Sequence, residues 1–229
     1  MRTIGLLGGM SWSSTMEYYR IINEEVSRRL GGLHSAKVLL NSVDFDEIVQ
    51  LQRRGDWHTA GKQLAAAAQA LECAGADFVL ICANTMHKVS EAVRQAIRIP
   101  IIHVADVTAE TIKRTGITRV GLLGTLYTME QDFLKEKFAE YGLQVIIPDE
   151  ERRHAVHHII FEELCKGTVS AASRRQFLSA IDHLAEQGAE GVIFGCTEIS
   201  MLLEPKDSPL PAFDTARIHA ESAVRMALT

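Results

Sequence analysis

The chain of 229 residues is long enough to bury a substantial core in one large domain or two smaller ones. With 47% hydrophobic residues, 23% charged residues and a net charge of -5, it has neither the composition of a disordered segment nor a basic surface for nucleic acid or anionic lipid. The expected partner is therefore a small molecule, and the expected compartment is cytoplasmic, since the apolar run in MRTIGLLGGMSWSS is too short for a membrane span and does not resemble a signal peptide.

Short runs rich in Val, Ile and Leu are expected as parallel strands near 2–8, 36–42, 77–82, 100–104, 118–124, 143–147, 191–195 and 211–213, with helix-period segments between them. The first strand runs into Gly8-Gly9-Met10-Ser11, and its Gly5-Leu6-Leu7-Gly8-Gly9 lacks the GxGxxG spacing of a dinucleotide site. Ser14 with Glu17, and later Thr128 with Gln131, have the spacing of capping boxes that open helices. QLQRRGD, containing Gln52, Arg53 and Arg54, reads on its residues alone as a solvated helix segment. The Ala-rich helix expected near 57–74 stops at Gly75, and Gly61-Lys62-Gln63 inside it lacks the upstream glycine of a phosphate loop. The third strand leads into Ala83-Asn84-Thr85, the fifth into Gly124-Thr125, and the seventh, GVIF, into Gly195-Cys196-Thr197-Glu198.

Three matches in the same order point to a duplication. IGLLG at 4–8 recurs as VGLLG at 120–124, LECAGADFVLICA at 71–83 overlays LAEQGAEGVIFGC at 184–196 without a gap, and IPIIH at 99–103 answers LPAFD at 210–214. The expected fold is α/β: two similar parallel-sheet domains related by pseudo-two-fold symmetry, 1–98 plus 209–229 and 99–208, with an active-site cleft between them. Ligands of such sheets bind beyond the carboxyl ends of the strands. Asn84, Thr85, Thr125 and Thr197, with the amides of helix N-termini, would seat a carboxylate or phosphate there, although the same side chains equally suit capping of their own helices.

Cys73, Cys82, Cys165 and Cys196 show no CxxC pair and no zinc spacing, so they are expected as reduced thiols, three of them simply packed. His154, His157 and His158 would share one helical face; a solvated face is the favoured reading over a metal site. Nothing marks a lysine for a Schiff base. Cys196 differs from the other cysteines because it follows a strand and precedes a helix, where amide dipoles favour the thiolate. The adjacent Thr197-Glu198 offers a carboxylate and no histidine, which suits a proton carrier better than a nucleophile.

IGLLGGMSW (4–12), SVDFDEI (42–48), NTMHK (84–88), LLGTLYTM (122–129), GCTEI (195–199) and LPAFDT (210–215) together resemble the cofactor-independent aspartate/glutamate racemase superfamily. Within it the match is to the amino-acid racemase branch, which includes enterobacterial L-aspartate/glutamate-specific and broad-specificity enzymes. That resemblance implies a homodimer without cofactor, acting on a small amino acid, with aspartate or glutamate favoured. Two acid/base groups, one from each half, would remove and return the α-proton on opposite faces. It also implies Cys196 as one of them, Thr197, Asn84 and Thr85 as substrate-carboxylate contacts, and Gln52 as a side-chain-carboxylate contact helped by Arg53 or Arg54. Met10 and Ser11 would line the pocket, and Glu198 would tune Cys196.

Ala83 departs from the pattern, since it stands where the second acid/base belongs and carries no exchangeable proton. Cys82 cannot replace it, because neighbouring strand residues point to opposite faces. The residues leave open a racemase served by water or Thr85 on that face, a variant with one acid/base group removed, a single-thiol decarboxylase or other one-sided proton-transfer enzyme, and a catalytically silent amino-acid-binding protein.

Overall fold

The computed structural model describes residues 1–229, which divide into two compact units, Met1–Val104 with His219–Thr229, and Ala105–Ile218. The first contains β1 (Ile4–Gly8), α1 (Trp12–Leu30), β2 (Val38–Ser42), α2 (Phe45–Arg54), α3 (Trp57–Cys73), β3 (Phe78–Ile81), a 3₁₀ turn (Thr85–Val89), α4 (Ser90–Ala96) and β4 (Ile101–Ile102). The second begins within α5 (Val104–Lys113). It continues through β5 (Arg119–Leu123), α6 (Leu126–Glu130), α7 (Asp132–Glu140), β6 (Gln144–Ile146), α8 (Glu150–Glu162), a 3₁₀ turn (Leu164–Lys166), α9 (Ala171–Glu186), β7 (Gly191–Phe194), α10 (Ile199–Leu202) and β8 (Ala212–Asp214). The last helix, α11 (Thr215–Leu228), starts in the second unit, and from His219 onward it belongs to the first.

Each unit holds one all-parallel four-stranded sheet, ordered β2-β1-β3-β4 and β6-β5-β7-β8. The two orders are equivalent, and the sequence repeats fall on equivalent strands: β1 with β5, β3 with β7, β4 with β8. All eight expected strands form. The division between halves differs from the expected one. Ile101 pairs with Val79 and Ala212 with Val192, so the strand near 100–104 completes the first sheet and the strand near 211–213 completes the second. A paired strand carries its partner's backbone hydrogen bonds, so the boundaries lie beyond it, after 104 and 218.

The central strands β1, β3 and β7 are buried along their whole length and β5 from its second residue on, as expected where helices cover a parallel sheet. In the first unit Leu7, Val79 and Ile81 pack with Leu64, Ala68 and Val93; in the second Leu123, Val192 and Phe194 pack with Phe177, Ile181 and Leu184. Each of these Val, Leu, Ile and Phe side chains contributes about 1.5–3 kcal/mol of burial. The capping boxes do not form at the expected residues. The first helix is capped three residues earlier by Ser11 and α6 by Thr125, both with extended backbone and each accepting from the amide three residues on. No helix is long and apolar enough to cross a membrane.

Candidate active site

The strand exits of the first unit collect Met10, Ser11, Gln52, Ala83, Asn84 and Thr85. At the end of β1, Gly9 has φ +93 and a Cβ there would lie 2.2 Å from the Val43 carbonyl oxygen, so only glycine fits this turn. Thr15 ties the turn to α1: its Oγ1 accepts from the Gly9 amide at 2.9 Å and donates to the Ser11 carbonyl at 3.0 Å. Met10 and Ser11 are thereby held in buried positions. In sequence Thr15 carries no signal of this role, since it is the fourth residue of a helix and resembles any helical threonine.

At the end of β3, Ala83 is half-buried against the first core and Asn84 is buried, while half-buried Thr85 opens the 3₁₀ turn. Gln52 is 6% exposed, and its Nε2 donates to Met86 Sδ at 3.1 Å, joining α2 to the β3 exit. The solvated reading of this stretch therefore holds for Arg53 and Arg54, which are exposed, and fails for Gln52. Lys88 lies over the Trp57 ring, 4.2 Å from its centroid, and burial lowers its pKa. Cys82 is fully buried and burial pushes its thiol upward, so it is a core residue.

The exits of the second unit collect Thr125, Cys196, Thr197 and Glu198. The Thr125 hydroxyl accepts from the Thr128 amide and meets the Thr128 hydroxyl at 3.2 Å, which is its helix-capping role. The next amide, Leu126, donates to His157 Nδ1 at 3.2 Å, so His157 anchors the β5 exit from α8. His157 is held below its usual pKa by burial first, then by His154 and His158, in keeping with an acceptor nitrogen. No group of three or more His, Cys, Asp or Glu side chains is placed to hold a metal ion.

Gly195 brings the end of β7 against β5: its amide donates to the Leu123 carbonyl at 2.7 Å, and a Cβ would sit 2.8 Å from that oxygen. Cys196 follows, half-buried, with its thiol donating to Glu198 Oε2 at 2.9 Å. Glu198 is 5% exposed and faces Cys165 of the 3₁₀ turn at Leu164–Lys166 as well, close enough to raise its thiol pKa. Thr197 is buried between them in sequence. Asp214 and Thr215 brace the segment, Asp214 accepting from the Ser200 hydroxyl at 2.6 Å and Thr215 donating to the Phe194 carbonyl at 2.8 Å.

This geometry corrects the expectation that Cys196 is poised as a thiolate. Loss of water around the sulfur raises its pKa most, followed by the Glu198 charge and Cys165; the Glu198 backbone amide, which donates to the sulfur, opposes them weakly. The helix that follows has only four residues and supplies little dipole. Cys165, read from sequence as a packing residue, shares the carboxylate, and its thiol is likewise raised by burial and by Glu198. Both thiols are thus disfavoured as thiolates by the same two causes.

Two parallel α/β units of equivalent strand order match the two-domain fold of the Asp/Glu racemases. The model for Asp/Glu/hydantoin racemases matches residues 7–223, and the chain belongs to that family. It is similar to a Yersinia pestis protein of known structure described as an Asp/Glu racemase, at 51% identity and TM-score 0.93 over 100% of both chains. An aspartate racemase homologue from Pyrococcus horikoshii is 33% identical with TM-score 0.86, again over 100% of both chains. A broad specificity amino-acid racemase of Bacillus subtilis is 24% identical over 233 residues, 96% of this chain and 96% of that one.

Proposed function

We propose that the protein racemises a small amino acid, with aspartate and glutamate favoured, by cofactor-independent proton transfer at the α-carbon, and that Cys196 is one of the acid/base groups. The observation that carries this reading is the 2.9 Å hydrogen bond from Cys196 to Glu198 at the end of β7. A neutral thiol can deliver a proton to a carbanion-like carbon, and Glu198 is placed to receive the thiol proton when Cys196 must act as base. Thr197, Asn84, Thr85 and Thr125 are proposed to hold the α-carboxylate, with Met10 and Ser11 lining the pocket.

Gln52 supports the preference for an acidic side chain. Its amide donates to a thioether sulfur, a weak acceptor, so exchanging that partner for a carboxylate is favourable. Ala83 occupies the second acid/base position and has no proton to exchange, so the reading assigns that face to water or to Thr85, with inversion slowed. An exposed apolar face of α1, formed by Trp12 (67% exposed), Met16 (60%) and Tyr19 (54%) at helical spacing, supports pairing with a second copy.

Incubating the protein with L- and D-forms of aspartate and glutamate in heavy water tests the reading. Deuterium at Cα with inversion is the expected result. Exchange with retention marks one-sided proton transfer of the kind a single-thiol enzyme performs. Binding without exchange marks a catalytically silent protein, and overturns the proposal.

A further inference from the structure

Three histidines of the first unit have no part in the chemistry assigned above, and one of them bonds to the backbone of the candidate site. His87 Nδ1 lies 2.9 Å from the Ala83 carbonyl oxygen, and the Val104 amide donates to His87 Nε2 at 3.2 Å. A carbonyl only accepts and an amide only donates, so Nδ1 carries the proton and Nε2 the lone pair. The ring is neutral and held in one tautomer. It is 2% exposed, and its faces and edges meet His103 and His219 at centroid distances of 4.6 and 5.6 Å. Burial, then those two neighbours, keep it well below the usual histidine pKa. Both nitrogens are engaged by backbone, so His87 is not itself a substitute for the acid/base missing at position 83.

The Ala83–Asn84 peptide is trans, so its N–H points opposite to its C=O. By drawing the Ala83 oxygen to one side, the ring turns the Asn84 amide to the other. The same ring takes its bearing from Val104, just past the end of β4, so the exits of two neighbouring strands are tied through one imidazole.

We infer that His87 is a positioning residue that fixes the Ala83–Asn84 peptide plane relative to the end of β4, and through it the aim of the Asn84 amide. Its catalytic consequence rests on the racemase reading. Displacement of such groups by an ångström costs up to about a hundredfold in rate.

Two isosteres separate the ring's two bonds. His87→Asn places an amide nitrogen where Nδ1 sits and keeps the Ala83 bond; His87→Gln places its amide group where Nε2 sits and keeps only the Val104 bond. With the full chain and L-glutamate or L-aspartate in heavy water, His87→Asn is expected to keep kcat for Cα deuteration within about threefold of the parent. His87→Gln is expected to lose about tenfold or more in kcat at similar KM, with both variants losing similar thermal stability. Equal losses of kcat in the two variants overturn the inference and make the ring a packing element. If the parent deuterates no amino acid, the racemase reading fails, and the positioning role is then decided by nuclear magnetic resonance of the Asn84 amide. A larger shift in His87→Gln than in His87→Asn supports it, and equal shifts overturn it.

Discussion

The Cys196 thiol and the Glu198 carboxylate lie 2.9 Å apart, two residues from each other in sequence and both at the end of β7. A carboxylate beside a thiol disfavours the thiolate, and here it adds to the larger effect of burial. Glu198→Gln removes the charge while keeping an amide at the same place, so the Cys196 pKa is expected to fall. Alkylation of Cys196 by iodoacetamide at pH 8, followed by mass spectrometry of its peptide, should then run several-fold faster than in the parent. The pH profile of Cα exchange should move to lower pH in parallel. An unchanged profile contradicts the tuning role of Glu198.

Position 83 gives an independent prediction. Loss of one acid/base group costs about two to four orders of magnitude in rate. Restoring an exchangeable proton with Ala83→Cys or Ala83→Thr is therefore expected to raise the rate of inversion by tenfold or more, without a comparable change in KM. Polarimetry with each enantiomer of glutamate and aspartate reads this directly. If neither variant is faster, the second face of the substrate is served from elsewhere.

The buried histidines make stability sensitive to acid. His219 Nε2 donates to the Ile102 carbonyl at 2.8 Å, and the Tyr18 hydroxyl meets Nδ1 at 2.9 Å, where it donates to the neutral ring. Burial lowers its pKa from 6.5 to about 4, with the Ile102 bond opposing and His103 adding a little. A folded-state pKa below the unfolded one gives stability that is complete above pH 6.5 and is lost as pH falls through that window toward 4. The full effect is on the order of 3 kcal/mol. In urea unfolding, the stability gap between the parent and His219→Gln is expected to narrow by about 2 kcal/mol between pH 7 and pH 4.5. A gap that stays constant contradicts this role for His219.

The strands and the duplication were legible in the sequence because their signals are local: β1, β3 and β7 are uninterrupted apolar runs, and each repeat keeps its residues in register. The boundary between halves was not, because it depends on which sheet β4 and β8 pair with, and pairing is not written in either strand. Helix starts misled for another reason. Ser11 and Ser14, like Thr125 and Thr128, offer two capping residues three apart, and only the extended backbone at the first decides between them.

Within the candidate site, residue patterning places Gln52 in solvent, and the structure buries it. Its burial is set by Met86, 34 residues away, rather than by the arginines beside it. Cys165 escaped for a similar reason, since the carboxylate it meets lies on a different segment of the chain. The protonation state of Cys196 was misjudged because a helix N-terminus was weighed without the burial around the sulfur, and that burial outweighs what four helical residues provide.

Transfer of the α-proton by the sulfur of Cys196 is tested most directly by Cα deuteration of L-glutamate and L-aspartate in heavy water, comparing the parent with Cys196→Ala and confirming by circular dichroism that the variant is folded. A loss of at least a hundredfold in the variant is expected. A rate within about twofold of the parent would contradict it and place the proton carrier elsewhere.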